Sequence, residues 1–75
     1  MEGLRLFISE DNVIRFEDHD LSFEEFEARL ERGKAKGETE VIGVMANDEF
    51  DLEFVKRVIK LLEKYDRSYI GYVHS

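Results

Sequence analysis

Residues 41–51 read VIGVMANDEFD, an uncharged run from Val41 to Ala46 that ends abruptly in Asn47, Asp48, Glu49 and Asp51. The first half decides the fold. Six extended residues with no charge on either face describe a strand covered on both sides, as in sheets with parallel neighbours. The second half poses a choice between a catalytic acid cluster at a strand end and the cap of a following helix. Asp51 stands just before Val55, Val58, Ile59 and Leu62, an apolar stripe at i, i+3, i+4 and i+7. At that position a side-chain oxygen accepts from otherwise unpaired first-turn amides. Phe50 and Val55 have the spacing of a hydrophobic staple. Asp48, Glu49 and Glu53 lie where the helix dipole favours negative charge by about 0.3–1 kcal/mol each. Asp48, Glu49 and Asp51 also have the oxygen chemistry to hold Mg²⁺ at a strand end. No Gly-rich phosphate loop accompanies them, and no second strand end brings a nucleophile or base. The cluster is assigned as a cap.

Downstream, the helix ends around Tyr65 and Asp66-Arg67-Ser68 turns the chain into a last strand, Tyr69, Ile70, Gly71, Tyr72 and Val73. A strand, a helix and a strand of these lengths form a right-handed crossover with parallel strands. Upstream, residues 4–8 (LRLFI) alternate, with Leu4, Leu6 and Ile8 on one face and Arg5 and Phe7 on the other. Residues 13–16 (VIRF) form a second strand, joined to the first by the turn Ser9-Glu10-Asp11-Asn12 as an antiparallel hairpin. Residues 16–20 (FEDHD) are expected as a solvated loop; one His among three carboxylates lacks the second nitrogen that a metal site wants. Ser22-Phe23-Glu24-Glu25 fits a capping box, with Leu21 and Phe26 as its staple. That first helix is expected to bury Phe23, Phe26 and Leu30 and to stop near Gly33, before the loop GKAKGE.

The expected architecture is therefore a single α+β domain over residues 1–75, a two-layer α/β arrangement. Its order is β-β-α-β-α-β, a mixed sheet with two helices packed on it. At 75 residues without Cys, it depends on packing and well-formed local structure. Thiol catalysis, disulfides and thiolate metal sites are excluded. The net charge of −7 is concentrated in residues 1–32, which carry −6. Such a surface repels phosphate backbones, so no nucleic-acid partner is expected. No apolar run approaches the roughly 20 residues that span a bilayer. The N-terminal residues lack the basic start and apolar stretch of a signal peptide.

In the order of its segments the chain resembles the periplasmic domain of the ExbD/TolR biopolymer-transport family, over residues 4–73. Leu4 to Glu10 with Asp11-Asn12 looks like the family's first strand and turn, and Phe23 to Gly33 like its first helix. Val41 to Ala46 with Asn47 looks like the central strand and its polar end. Asp51 to Leu62, with FVKRVIKLL inside it, looks like the second helix, and Ile70-Gly71-Tyr72-Val73 like the closing strand. The family commonly has an acid where this chain has Asn47, and Ala-Gly where it has Tyr65-Asp66.

The resemblance implies docking rather than catalysis, with no cofactor and no metal. Family members sit beside a multi-helix motor subunit of the inner membrane and couple the proton gradient to a transducing envelope protein. Their periplasmic domains form homodimers and contact that transducer or peptidoglycan. The membrane anchor with its proton-handling Asp would lie outside these residues.

For the chain itself, the candidate partner-binding segment is Tyr69, Ile70, Gly71, Tyr72 and Val73. At a sheet edge it can pair with an extended peptide or a second copy; as an interior strand it would only lay Tyr rings over the core. Phe7 and Phe54 are further candidates for exposed apolar surface. A second expectation is a free-standing acidic interaction module using Asp18, Asp20, Glu24, Glu27 and Glu31, which also fit the solvated face of a helix. A functionless designed fold would account for the doubled cap-and-staple pattern.

Overall fold

The uncharged run does form an interior strand with parallel neighbours. The computed structural model describes residues 4–72. In chain order the elements are β1 (Leu4–Ile8), β2 (Ile14–Phe16), β3 (His19–Leu21), α1 (Phe23–Ala35), β4 (Ile42–Ala46), α2 (Leu52–Lys64) and β5 (Tyr69–Tyr72). The five strands make one mixed sheet in the order β3-β2-β1-β4-β5. β4 pairs in parallel with β1 and with β5, while β1–β2 and β2–β3 are antiparallel. The α+β fold with two helices on a mixed sheet is as expected. No helix among the described residues is long and apolar enough to cross a membrane.

The order differs from expectation by one strand. Residues 16–20 are not a loop: Phe16 pairs with His19 across a two-residue turn, and the chain returns as β3. Glu17 (φ 54°) and Asp18 (φ 65°) both take the left-handed conformation that a tight hairpin of matching twist demands. The usual Asn-Gly signal for that turn is absent, which is why the sequence reads as solvated coil. Asp18→Gly should relieve the left-handed strain and raise stability by about 0.5–1 kcal/mol in a thermal melt. A lower melting temperature would mean that the Asp18 side chain makes a contact worth more than the strain.

Alternation places the core. Leu6, Ile8, Ile14, Phe16, Ile42 and Val44 share one face of the sheet and are buried with Phe26 and Leu30 of α1 and Val55, Val58 and Leu62 of α2. Both helices thus cover the same face. The expectation that β4 is covered on both sides is corrected: Met45, on the opposite face, is 46% exposed. An uncharged strand reads as doubly covered whether its outer positions are buried or merely apolar. Phe54 is also corrected, being buried and edge-on to Phe23 at 5.9 Å.

Local sequence sets both helix starts. Ser22 Oγ accepts from the Glu25 amide while Glu25 Oε1 accepts from the Ser22 amide, completing the capping box. Asp51 Oδ1 accepts from the amides of Glu53 and Phe54. At the other end, α1 passes Gly33 and closes at Gly37 (φ 78°). The Glu38 amide donates to the Gly33 carbonyl and the Gly37 amide to the Lys34 carbonyl, a Schellman closure. Gly33 has a different role: a Cβ there would meet the Glu38 carboxylate and force it to shift from its place on Arg29.

Candidate functional site

The two rims of the sheet are unlike. β3, at one rim, is three residues long and carries His19 and Asp20; Asp20 is tied to Arg15 of β2 at 3.1 Å. Short length and charge are the usual protection of a strand edge. β5, at the other rim, reads YIGY and carries no charge. It pairs with β4 alone among the described residues, so one row of its backbone donors and acceptors faces outward.

Along β5, Tyr69 packs against the core and its hydroxyl donates to Glu63 Oε2 at 3.0 Å. That hydrogen bond, with partial burial, holds the phenol above its ordinary pKa. Ile70 points to the helix-free face and is 53% exposed. Gly71 returns to the helix side, and a Cβ there would meet no atom within 4 Å. The choice between edge and interior is therefore decided for Tyr69, Ile70, Gly71 and Tyr72: they form an edge. Val73 lies outside the described residues.

The sheet face away from the helices continues this surface. Phe7, Met45 and Ile70 are all at least about a third exposed on it. A shallow recess of about 310 Å³ opens there among Arg5, Phe7, Arg15, Asp18 and Met45. A wider one, about 660 Å³, lies between the β2–β3 hairpin and α1, walled by His19, Glu25, Arg29 and Arg32. Two of its acids are already committed: Glu25 to the helix cap and Glu17 to Arg29.

The acid groups singled out in the sequence are dispersed by the fold. Asp51 caps α2, and Asn47 accepts from the Glu49 amide at 2.9 Å. Of the five acids in the acidic-module expectation, Asp20 is bound to Arg15 at the sheet. Glu27 receives Lys64 Nζ at 2.9 Å and the Tyr65 hydroxyl at 3.0 Å, which joins α1 to α2 and draws its pKa below the ordinary carboxylate value. Two of those five acids are thus engaged within the chain, while Asp18, Glu24 and Glu31 are exposed.

An ionic chain with no local sequence signature links α1 and the β2–β3 turn to the entries of β4 and β5. Arg29 sits over the Phe16 ring and bonds Glu17 through Nε at 2.9 Å. Its Nη1 and Nη2 donate to the two oxygens of Glu38 at 3.1 and 3.2 Å. The Schellman turn at Gly37 delivers Glu38 to that position. This fork raises the Arg29 pKa and lowers that of Glu38, each chiefly through their mutual hydrogen bond. Arg67 follows the left-handed Asp66 turn and is buried, with Nη2 donating to the Glu40 carbonyl at 2.9 Å and Nη1 3.6 Å from Glu38. It ties the entry of β5 to the loop before β4. An Arg after a polar turn reads as solvated, so spacing alone carries no signal for it.

The chain matches no model of a known protein family, and neither a curated protein nor a solved structure matches it significantly.

Proposed function

We propose that the chain is a non-enzymatic docking domain that accepts an extended segment of a partner protein along the free side of β5. In the frame of the ExbD/TolR resemblance, that partner is the transducing protein of a proton-driven envelope complex. The domain then works in the periplasm, and an inner-membrane anchor outside these residues handles the proton chemistry. One observation carries the proposal: β5 is an uncharged edge whose outer backbone groups have no partner among the described residues, while the opposite edge is short and charged. Main-chain pairing at such an edge supplies affinity, and side-chain pockets on alternate positions supply choice of partner. Gly71 leaves the helix side of the strand open, and Ile70 offers an apolar contact on the other side.

An amide-resolved NMR titration tests it. The probe is an extended segment of the transducer from the same organism, with a scrambled peptide as control. Saturable shifts concentrated on Tyr69, Ile70, Gly71 and Tyr72 are expected, together with slowed hydrogen exchange on outward-facing amides of β5. If a millimolar excess moves these amides no more than the scrambled peptide does, strand addition at this edge is wrong.

A further inference from the structure

The free rim of β5 is complementary to itself. β4 and β5 run in parallel, and the Ile42 amide donates to the Ser68 carbonyl. Backbone groups alternate sides along a strand, so Ser68, Ile70 and Tyr72 turn theirs toward β4. Tyr69 and Gly71 turn theirs outward, where they have no partner among the described residues. An antiparallel neighbour must therefore set its own outward-facing residues across from Tyr69 and Gly71. A second copy does so when the symmetry axis passes between the two Ile70 residues. Tyr69 of each copy then lies across from Gly71 of the other, and each such pair exchanges both N–H···O bonds.

Side chains fit the same register. Tyr69 and Gly71 share the helix side of the sheet, and an aromatic residue across from an edge glycine covers the bare backbone. A Cβ at Gly71 would meet nothing within 4 Å, so space for the opposing ring is open. On the helix-free face the two Ile70 side chains, each 53% exposed in the single chain, meet at the axis as a close non-hydrogen-bonded pair. Charge fits as well. Residues 1–32 carry −6 of the net −7 and form β1 to β3 and most of α1, whereas β5 is uncharged, with no Lys or Pro to turn a neighbouring strand away. Helical spacing puts Lys56 on the flank of α2 that carries Glu63, the acceptor of the Tyr69 hydroxyl. Lys56 is exposed and has no ion-pair partner among the described residues. In the antiparallel arrangement these flanks run past each other in opposite directions, which brings Glu63 of one copy toward Lys56 of the other.

We infer that a second copy of the chain closes this edge: β5 pairs antiparallel with β5 about Ile70, and the dimer competes with a partner segment for the same backbone groups. The competition rests on the docking role of β5, whereas the dimer does not. An interface built on one short strand falls below the roughly 1,000 Å² of stable complexes, so the dimer is weak and readily displaced.

Dilution of the full chain without peptide tests the dimer. Amide shifts of Tyr69, Ile70, Gly71 and Tyr72 should depend on concentration between about 20 µM and about 1 mM, and sedimentation should fit a monomer–dimer equilibrium. In a mixture of isotope-labelled and unlabelled chains, an intermolecular contact between the two Ile70 Hα atoms should appear, since this register sets them face to face. Ile70→Lys and Ile70→Glu should each weaken self-association about tenfold or more, because like charges then oppose each other at the axis. Mixing the two variants should restore it. Their melting temperatures in dilute solution should stay close to that of the parent chain, because Ile70 is exposed. A chain that stays monomeric to about 1 mM, or a mixture as weak as its components, would overturn the dimer and leave strand addition by a partner standing. Titrating the extended transducer segment into the dimer should dissociate it. A dimer that persists while the segment saturates β5 would overturn the competition. A segment that does not bind at all would overturn the competition and the docking role together, with the dimer still measured on its own.

Discussion

Phe26→Ala should unfold much of the protein at physiological temperature. Phe26 is fully buried beneath α1, and its ring meets Phe16 edge-on at 5.4 Å. Truncating such a ring removes transfer free energy and leaves a cavity, at a cost of about 3–5 kcal/mol. A domain of this size has about 4–11 kcal/mol of total stability. The loss is compounded because the Phe16 ring also supports Arg29, whose fork holds Glu38. Urea denaturation should show a much lower midpoint with little change in slope. Leu52→Ala supplies the comparison, since Leu52 is half exposed at the first turn of α2 and should cost within about 0.5 kcal/mol. A loss below about 1.5 kcal/mol for Phe26→Ala would mean that the core under α1 collapses onto the gap, and that α1 is less firmly seated than its burial implies.

Where one physical signal acted alone, the sequence was legible. The alternation of Leu4, Leu6 and Ile8, the stripe from Val55 to Leu62 and the capping residues Ser22 and Asp51 each report a local requirement, and each element stands where that requirement put it. Legibility failed where two causes share one pattern. An uncharged strand is produced both by double burial and by an exposed apolar face, so Val44 and Met45 look alike in sequence although one is buried and the other is 46% exposed. Glycine is ambiguous in the same way. Gly33, Gly37 and Gly43 each punctuate the chain, but only Gly37 needs its positive φ; Gly33 makes room for Glu38, and at Gly43 a Cβ would meet only ordinary contact. The β2–β3 turn was missed because Glu17 and Asp18 adopt a conformation that favours Asn and Gly. The edge position of β5 depended on strand order, a long-range property that no window of sequence contains.

Glu38→Ala should be the most damaging change outside the apolar core, and Arg67→Met should be mild. Glu38 accepts both hydrogen bonds of the Arg29 fork and is the counter-charge of Arg67 at 3.6 Å, and the Arg67 side chain is only 2% exposed. Removing the carboxylate leaves a buried guanidinium without its counter-charge, which costs about 2–4 kcal/mol once the partial exposure of Glu38 is allowed for. Arg67 already has Nε and Nη1 buried without a hydrogen-bond partner among the described residues. Arg67→Met removes those orphaned donors together with the charge, at the loss of one bond to the Glu40 carbonyl, so a net change within about 1 kcal/mol follows. The double variant should then be more stable than Glu38→Ala alone, with a coupling of about 1 kcal/mol or more. Strict additivity would show that Arg67 does not feel Glu38 across 3.6 Å. Acid supplies an independent check. The Glu38 pKa is depressed by the Arg29 fork, so its stabilisation is complete above the ordinary carboxylate range and is lost as pH falls through the lower folded-state value. Glu27, depressed by Lys64 and Tyr65, acts in the same direction. Glu38→Gln should therefore flatten, without abolishing, the fall in stability below about pH 4.5. An unchanged acid limb would place the fall elsewhere and remove Glu38 from the brace at the entries of β4 and β5.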